Sequence, residues 1–322
     1  LRLALPRRRW NLRPAPAISL GAKVGSAPDF GAIAHQLAVI LPAYNEADAM
    51  GVVLQHLTGT PELAGAEIIV VDDGSRDQTA EIVATFPAVR LVRHAFNRGY
   101  GAAIVSGVRA TQRPYVIWFD ADGQHRIEDL LLLARTLVEG QFEYCIGVRS
   151  ADSYQDPNRK LGKWLLRQAV NFALGSPAPD FNSGLRGFQR SVLQQYLHLL
   201  PKGFGASTLT TMLMIENGHH GVTQPILVHE RIGKSTVRQW RDGIRTLRII
   251  LGVVLLFKPL RFFGWIGLVL ILLGLVYGFV KSSQVGLGFP VFASLLVILG
   301  VQSFFFGLIA DQISAMRRER FN

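Results

Sequence analysis

Two aspartates separated by a single residue lie near the middle of the chain, in the turn Asp120-Ala121-Asp122-Gly123-Gln124. Two carboxylates and a side-chain amide on one short turn offer hard oxygen ligands, which Mg²⁺ and Mn²⁺ accept while keeping positions free for phosphate oxygens. A lone Asp-x-Asp sequence is more often a solvated turn than a metal site. The residues that precede the turn therefore decide between these two interpretations.

A short apolar run, Tyr115-Val116-Ile117-Trp118, lies just ahead of the turn. Its β-branched and aromatic residues predict a buried strand. The two carboxylates then fall at the carboxyl end of that strand, where open α/β sheets bind their ligands. This placement favours a binding site over a solvated turn.

The succession of strand, polar loop and helix recurs in the chain before this turn. Buried strands are predicted at 37–41, which Pro42 ends, at 68–71 and at 89–92, and a helical stretch follows each of them. Such a repeat predicts an α/β domain with a mostly parallel sheet and crossover helices. The loops after its strands share one edge of the sheet, where we expect the side chains of Tyr44, Glu46, Asp72, Asp73, Asp120 and Asp122.

Composition and charge point to a membrane and to phosphate groups. The chain has 322 residues, of which 49% are hydrophobic, and its formal net charge is +11. Nucleic acid, anionic lipid and phosphate-bearing substrates could each explain that charge. The basic residues show no zinc-finger spacing or aromatic-rich RNA signature, so no nucleic acid partner is expected. The single cysteine, Cys145, can form no intrachain disulfide, which fits a reducing compartment, and we expect it to be a small buried apolar residue.

Two long uncharged segments follow the predicted α/β domain. Residues 262–280 and 289–310 contain 19 and 22 residues without a charge, and a membrane span needs about 20. Lys258 and Arg261 precede the first segment, Arg317, Arg318 and Arg320 follow the second, and the connection carries only Lys281. The positive-inside rule therefore predicts a two-span membrane protein with its catalytic domain and C-terminus in the cytoplasm.

Three further segments have basic character. Residues 1–35 contain Arg7-Arg8-Arg9 and several prolines and predict a flexible arm. A basic amphipathic helix predicted at 158–174 suits either a membrane surface or a core with one solvated face. A second one, from Arg238 to a stop at Pro259, suits either the interface or packing on its own domain. The predicted organisation is thus an arm (1–35), a catalytic domain (36–236), a juxtamembrane helix (237–259) and a two-helix anchor with a basic tail (260–322).

Four motifs, in this order, resemble family 2 glycosyltransferases of the GT-A fold. They are Pro42-Ala43-Tyr44-Asn45-Glu46, Asp72-Asp73-Gly74-Ser75, Asn97-Arg98-Gly99-Tyr100-Gly101 and the Asp120–Gln124 turn. More narrowly, residues 36–236 resemble the dolichol-phosphate mannose synthase and polyprenol-phosphate glucosyltransferase branch. The segment 180–186 is similar to the Ser-Gly-Phe-Arg loop of that branch, with Leu185 in place of Phe. Four ordered motifs are far more specific than one.

The resemblance implies a role for each motif. It implies that Asp120, Asp122 and Gln124 bind Mg²⁺ or Mn²⁺ on the diphosphate of a nucleotide sugar. It also implies the residues that hold the nucleotide sugar, which are Pro42, Tyr44, Asn45, Glu46, Asp72 or Asp73, Asp120, Arg231 and Lys234. The candidates for gripping the acceptor phosphate are Arg149, Arg159, Ser183 and Arg186, because guanidinium groups match phosphate oxygens; Arg159 could instead be a surface charge. Asp120, Asp122, Arg149 and Arg186 are the expected catalytic residues.

The sequence thus predicts a membrane-anchored, metal-dependent, inverting glycosyltransferase. It would transfer a hexose from a nucleotide diphosphate sugar of the GDP-mannose or UDP-glucose type to polyprenyl phosphate. One alternative is a glycosyltransferase that acts on a sugar hydroxyl in polysaccharide or glycolipid synthesis. Another is a catalytically silent scaffold at the membrane.

Overall fold

The computed structural model describes residues 30–150, 153, 164, 167–168, 170–172, 180–181, 183–203, 205–232, 251–252, 254–255, 257–286 and 288–319. The predicted arm before residue 30, Arg159, Lys234 and most of the two predicted basic helices lie outside these residues. The chain forms two compact units, one of residues 1–156 and 179–236 and one of residues 157–178 and 237–322. The predicted catalytic domain was continuous from 36 to 236, whereas residues 157–178 group with the second unit.

Among the described residues, the first unit is built on a seven-stranded sheet. Its strands are β1 (Leu37–Ala43), β2 (Glu67–Asp72), β3 (Val89–Arg93), β4 (Tyr115–Trp118), β5 (Tyr144–Arg149), β6 (Arg186–Gln189) and β7 (Gly221–Ile226). Their order across the sheet is β3-β2-β1-β4-β6-β5-β7. Of these seven described strands, only β6 runs antiparallel to its neighbours, β4 and β5, and the other pairings are parallel. The predicted mostly parallel sheet is therefore confirmed.

Helices connect the strands and cover the sheet. They are α1 (Phe30–Ala34), α2 (Ala47–Gly59), α3 (Thr79–Ala84), α4 (Tyr100–Ala110), α5 (Ile127–Glu139), α6 (Arg190–Tyr196) and α7 (Gly205–Glu216). Every residue of β1 is buried, as expected for a central parallel strand covered on both faces. The register pairs Ala43 with Asp72, which brings the ends of β1 and β2, and hence the loops after them, to the same edge.

The second unit contains two long apolar helices, α8 (Pro259–Val285) and α9 (Val291–Glu319). Both are long and apolar enough to cross a membrane. They pack closely at Gly267 and Gly300, where a Cβ atom on either residue would come within 2.7 Å of the carbonyl oxygen of the other. Ser303 Oγ also donates a hydrogen bond to Phe263 O at 3.0 Å.

Pro259 differs in position from the prediction. It was expected to end the juxtamembrane helix, but it is the first residue of α8, and the non-helical residue is Lys258. Proline disfavours helical backbone in the residue before it and is well suited to the first helical turn. The break between the helices therefore falls one residue earlier than expected.

Candidate active site

The acid pair lies where β4 ends. Phe119 N still donates to Ile40 O of β1 at 3.0 Å, and the chain then turns, so that Asp120 and Asp122 follow at the edge of the sheet. Tyr100, the first residue of α4, donates its hydroxyl proton to Asp120 Oδ1 at 2.9 Å. A Cβ atom at Gly184 would lie 1.8 Å from Asp120 Oδ2, so only glycine allows the chain before β6 to pass this close to the carboxylate.

The two carboxylates have different environments. Burial favours the neutral form of Asp120, but contact with His125, the Tyr100 hydroxyl and the charge of Arg186 outweigh it and lower its pKa. Burial and the charge of Asp120 raise the pKa of Asp122. Its Oδ1 accepts one hydrogen bond from Gln124 N at 3.2 Å. Asp122 is therefore the member of the pair whose negative charge is poorly compensated.

A segment that follows β7 covers the acid turn; we call residues 228–232 the covering segment. His229 N donates to Gln124 O at 2.9 Å, and Ile232 N donates to Asp122 O at 3.1 Å. Gln124 Nε2 donates to His229 O at 3.0 Å, which leaves the amide oxygen as the atom of Gln124 that could contact a cation. The turn is thus held by a part of the chain about one hundred residues later.

The covering segment also connects the acid turn with the loop after β1. Arg231 Nη2 lies 2.5 Å from Glu46 Oε1. Burial raises the pKa of Glu46, the Arg231 guanidinium opposes this effect, and the charges of Asp122 and Asp120 add to it. Three carboxylates and one guanidinium from three separate stretches of the sequence therefore share one electrostatic environment.

The loops after β1 and β2 bind each other. Asn45, in left-handed backbone with a φ of 54°, accepts a hydrogen bond on Oδ1 from Arg76 N at 2.9 Å. Asn45 N donates to Ser75 Oγ at 3.0 Å. Pro42 lies in β1 opposite Val71. The motif containing Asn45 is thus fixed against the one containing Ser75, as the shared sheet edge requires.

The adjacent aspartates Asp72 and Asp73 are both buried and both have partners in the protein. Asp72 Oδ1 accepts from Ser75 N at 2.9 Å, and its Oδ2 lies 3.1 Å from Arg93 Nε. Asp73 accepts from Arg98 N at 2.9 Å and Gly99 N at 2.7 Å, and its Oδ1 lies 2.6 Å from His94 Nδ1. Asp73 therefore fixes the loop that ends at Tyr100.

A cavity of about 560 Å³ opens beside these loops. It is lined by residues of the two motifs and of the loop after β3, namely Tyr44, Gly74, Ser75, Arg76, Arg93, His94, Ala95, Phe96 and Asn97. Phe96 is 69% exposed. The cavity combines the aromatic rings of Tyr44 and Phe96, two guanidinium groups and several hydrogen-bonding groups, which suit a nucleoside.

Arg149 and Asp180 form a bidentate ion pair. Arg149 Nε and Nη2 lie 2.6 and 2.7 Å from the two carboxylate oxygens. Burial opposes ionisation of Asp180, but Arg149 outweighs it and lowers the pKa of the carboxyl. The charge of Asp120 also acts on Arg149, so the pair belongs to the same edge of the sheet as the acid turn.

Arg186 is fully buried. Its guanidinium donates to backbone oxygens of Phe181, Ser183 and Ser207 and to Thr211 Oγ1, and it lies 5.6 Å from the centre of the Trp118 ring. Burial lowers the pKa of Arg186 to about 10. To bind a phosphate, the Arg186 guanidinium would have to break one of these hydrogen bonds. Ser183 is also buried, and its hydroxyl donates to Leu185 O at 3.3 Å.

The acid turn fits a divalent cation. Asp120 and Asp122 supply carboxylate oxygens, and Gln124 has an amide oxygen to offer. Burial and the charge of Asp120 raise the pKa of Asp122, and a bound cation would offset both effects. No group of three His, Cys, Asp and Glu side chains among the described residues could hold a metal ion. Two carboxylates leave most of a six-coordinate ion to substrate oxygens and water, as is usual for Mg²⁺ bound with phosphates.

The structure thus brings most of the predicted residues to one edge of the sheet. Contacts or charges link Glu46, Asp120, Asp122, Gln124, Arg149, Arg186 and Arg231, while Arg159 and Lys234 lie outside the described residues. Sequence reasoning gave no role to three contributors, Tyr100, His125 and Asp180. Their signals were present, because Tyr100 and Asp180 lie within quoted motifs and His125 directly follows Gln124.

Comparisons with protein families agree with this geometry. The family described as Glycosyl transferase family 2 matches residues 38–197. These residues belong to glycosyltransferase family 2. A second family, described as GtrB C-terminal hairpin, matches residues 258–316, which include α8 and most of α9. The family predicted from the four motifs is confirmed.

Several curated proteins resemble the family 2 domain or most of the chain. A Methanocaldococcus jannaschii protein named "Uncharacterized protein MJ1222" is 34% identical over 160 residues, which are 48% of this chain and 64% of that protein. The undecaprenyl-phosphate 4-deoxy-4-formamido-L-arabinose transferase of Pseudomonas fluorescens is 28% identical over 302 residues, 88% of this chain and 85% of that protein. The enzyme of the same name from Edwardsiella ictaluri is 28% identical and covers 86% and 88%.

Solved structures confirm the fold of this glycosyltransferase family 2 domain. Glucosyl-3-phosphoglycerate synthase from Mycobacterium tuberculosis, in complex with Mn²⁺, UDP-glucose and phosphoglyceric acid, superposes with a TM-score of 0.54 at 19% identity, covering 73% of this chain and 85% of that one. Mannosyl-3-phosphoglycerate synthase from Rubrobacter xylanophilus gives a TM-score of 0.52 at 19% identity, covering 70% and 78%. The predicted GT-A fold, with two apolar C-terminal helices, is confirmed.

Proposed function

We propose that this protein is a membrane-anchored glycosyltransferase that moves one hexose from a nucleotide diphosphate sugar to a polyprenyl phosphate. The observation that carries the proposal is the acid pair, Asp120 and Asp122, facing Glu46 and Arg231 at the edge of a family 2 glycosyltransferase sheet. The names of the relatives that match most of the chain support the lipid acceptor. The two apolar helices support the anchor.

The donor would bind across the loops after β1, β2 and β4. The cavity lined by Tyr44 and Phe96 suits the nucleoside, and the diphosphate would then reach the acid turn. A divalent cation held by Asp120, Asp122 and Gln124 would supply Lewis-acid stabilisation of the negative charge on the departing diphosphate. Arg231 would add a positive charge to the same phosphates once the donor competes with Glu46 for it.

The acceptor needs positioning more than it needs a base. A phosphate oxygen is ionised at neutral pH, so no strong general base has to remove a proton from the nucleophile. We assign Arg149 to orient that phosphate, because its ion pair with Asp180 fixes the guanidinium beside the acid turn. Attack on the anomeric carbon from the side opposite the diphosphate would invert its configuration. Positioning of the substrates and neutralisation of charge would then account for most of the rate enhancement.

The proposed orientation places the catalytic unit and the C-terminus in the cytoplasm. Lys258 and Arg261 lie at the start of α8 and Arg317, Arg318 and Arg320 at the end of the chain, while only Lys281 lies at the α8–α9 connection. Short segments rich in Lys and Arg remain on the cytoplasmic side of the membrane. Nucleotide sugars are made in the same compartment.

The test is transfer by the purified full chain in vesicles that contain polyprenyl phosphate. Labelled UDP-glucose, GDP-mannose and other nucleotide sugars are supplied in turn, with Mg²⁺ or Mn²⁺, and the labelled lipid is identified by mass. We expect one donor to give a monoglycosyl polyprenyl phosphate. Label found only in lengthened polysaccharide, or no transfer from any donor, would contradict the proposal.

Two variants assign the reaction to the acid turn. Asp122→Ala should reduce transfer by about 10²- to 10³-fold, the scale for losing a group that stabilises charge in the transition state. Asp48→Ala is the matched control, because Asp48 is an exposed carboxylate in the first turn of α2. Both variants should retain the far-ultraviolet circular dichroism of the wild type. Full activity of Asp122→Ala would exclude the metal assignment.

A further inference from the structure

One short loop contributes to two parts of the proposed active site. Residues 94–99, which connect β3 to α4 and which we call the β3–α4 loop, include four residues that line the nucleoside cavity, 94–97. The loop leads into Tyr100, the first residue of α4, whose hydroxyl donates to Asp120 Oδ1 at 2.9 Å. One continuous stretch of the chain therefore extends from the wall of the cavity to a carboxylate of the acid turn.

Asp73 binds both ends of this loop. At the first end, His94 Nδ1 lies 2.6 Å from Asp73 Oδ1, and the histidine is the donor because a carboxylate only accepts. At the second end, Asp73 accepts from Arg98 N at 2.9 Å and from Gly99 N at 2.7 Å. Asp73 and His94 are buried, whereas residues 95–98 are exposed. The shape of the exposed middle therefore depends on how its two ends are held.

His94 also connects the loop to the neighbouring elements. Its backbone N donates to Asp72 O at 2.9 Å, at the end of β2. Its Nε2 lies 2.8 Å from Ser106 Oγ, and Ser106 belongs to α4, the helix that begins at Tyr100. His94 thus lines the cavity and contacts the helix whose first residue orients Asp120.

The surrounding backbone fits the loop closely on two sides. A Cβ atom at Gly74 would come within 2.6 Å of the carbonyl carbon of Phe96, and one at Gly99 would overlap Lys202 O. Both glycines have positive φ, 73° and 99°. Closely packed segments move between discrete arrangements and do not deform continuously. The wall of the cavity and the start of α4 at Tyr100 are therefore positioned together.

We propose that a nucleoside in the cavity strengthens cation binding at the acid turn through the β3–α4 loop, with His94 as the positioning residue that couples the two sites. A base packed against Phe96 would order the exposed middle of the loop, and the ordered loop would hold Tyr100 on Asp120. The entropic cost of ordering then falls on the first ligand alone, which makes the second bind more tightly. The proposal rests on the donor and cation sites of the proposed function.

The test is the Mn²⁺ affinity of the full-length protein in detergent, measured by titration calorimetry without and with each common nucleoside in turn. A nucleoside has no phosphate with which to ligate the cation, so a gain in affinity must pass through the protein. We expect one nucleoside to raise the Mn²⁺ affinity of the wild type about fivefold, within the usual range of coupling between sites. Because coupling is reciprocal, Mn²⁺ should raise the affinity for that nucleoside by the same factor.

Three variants assign the coupling to His94. His94→Phe keeps a ring but removes both side-chain hydrogen bonds, and it should abolish the coupling. Ser106→Ala removes only the partner of Nε2 and should reduce the coupling factor without abolishing it. His56→Phe, at an exposed position of α2, is the matched control and should keep the wild-type factor. A purely structural role of His94 would weaken Mn²⁺ binding equally with and without the nucleoside and leave the factor unchanged.

The outcomes separate this proposal from the proposed function, because Mn²⁺ binding with UDP and with GDP is measured in parallel. Tight binding of Mn²⁺ with either diphosphate, but no effect of any nucleoside, would refute the coupling and leave the proposed function intact. No Mn²⁺ binding with either diphosphate would refute both. A wild-type coupling factor in His94→Phe would also overturn the proposal, and if circular dichroism shows that this variant is unfolded, an unchanged factor in Ser106→Ala would do so.

Discussion

Asp120 and Asp122 are separated by a single residue, yet the pKa values of their carboxyl groups are shifted in opposite directions. Asp120 accepts a hydrogen bond from Tyr100, and its pKa is lowered. Burial and the charge of Asp120 raise the pKa of Asp122. A cation would remove the penalty on Asp122, because it replaces repulsion between two anions with attraction to both. The pair is therefore poorly compensated without a metal and well suited to one.

The hydroxyl of Tyr100 is expected to matter through Asp120. Tyr100→Phe removes the hydrogen bond that orients the carboxylate and leaves the ring in place. Groups that orient a metal ligand typically contribute about 10- to 100-fold in affinity or activity, so Mn²⁺ affinity in the presence of a nucleoside diphosphate should fall by about tenfold. Titration calorimetry measures it. Tyr115→Phe, at the opposite end of β4, is the control, and equal Mn²⁺ affinity of both variants would refute this role.

The excess charge at Asp122 predicts a trade between stability and function. Asp122→Asn keeps the size of the side chain and removes the repulsion, so the metal-free protein should become more stable by about 1 kcal/mol, a common gain from relieving a functional site. That corresponds to a rise in melting temperature of roughly 2–4 °C for a domain of this size. Adding Mn²⁺ with a nucleoside diphosphate should raise the melting temperature of the wild type and not that of the variant. Calorimetric scans that show a less stable variant would contradict this account.

At the scale of elements, a second cluster of ionisable residues joins the residue before β5 to the loop between α7 and β7. Glu143 Oε1 lies 3.0 Å from His219 Nδ1, its Oε2 accepts from His220 N at 2.5 Å, and the Tyr196 hydroxyl lies 2.8 Å from His219 Nε2. Burial favours the neutral acid, but His220 N and His219 outweigh it and lower the pKa of Glu143. A carboxyl group whose pKa is lowered by folding stabilises the folded state at every pH above its pKa in the unfolded chain. This contribution is lost as the pH falls through the lower pKa of the group in the folded protein.

Glu143→Gln should therefore destabilise the protein at neutral pH but not in acid. We expect a loss of about 1 kcal/mol at pH 7, since a partly exposed charged acceptor is replaced by a neutral one. The difference between wild type and variant should stay constant down to about pH 5, begin to shrink near the ordinary glutamate pKa of about 4.3, and disappear only below the lower pKa of Glu143 in the folded protein. Urea unfolding across this range measures it, with the exposed Glu62→Gln as control. A difference that grows on acidification would be incompatible with the lowered pKa.

The four parallel strands β1 to β4 were predictable, and the antiparallel strand β6 was not. β1, β2, β3 and β4 are short apolar runs followed by polar loops, so local sequence indicates both the strands and the edge that their loops share. β6 has four residues, two of them Arg186 and Gln189, and its segment looked like a phosphate-binding loop. Its identity as a strand depends on pairing with β4 and β5, which is information from distant parts of the chain.

The same distinction holds for the site residues. Asp120 and Asp122 could be placed because their strand precedes them. The bond from Tyr100 to Asp120 and the ion pair of Glu46 with Arg231 join residues 20 and 185 positions apart, and no local pattern encodes such contacts. The burial of Arg186 could not be predicted either, since its guanidinium is satisfied mainly by backbone carbonyls and has no partner that the sequence can reveal.

For the whole molecule, the proposed orientation in the membrane can be tested with a thiol reagent that does not cross lipid. The native thiol gives no background, because Cys145 is fully buried and burial raises its pKa to about 12, which keeps it from forming the reactive thiolate. Ser283→Cys places an exposed thiol at the end of α8 near the connection, and Asp48→Cys places one on α2 of the catalytic unit. Intact cells should be labelled at Ser283→Cys, while Asp48→Cys should react only after the membrane is permeabilised. The reverse pattern would put the catalytic unit on the side without nucleotide sugars, and a donor of that class would then be untenable even if the acid pair binds a metal.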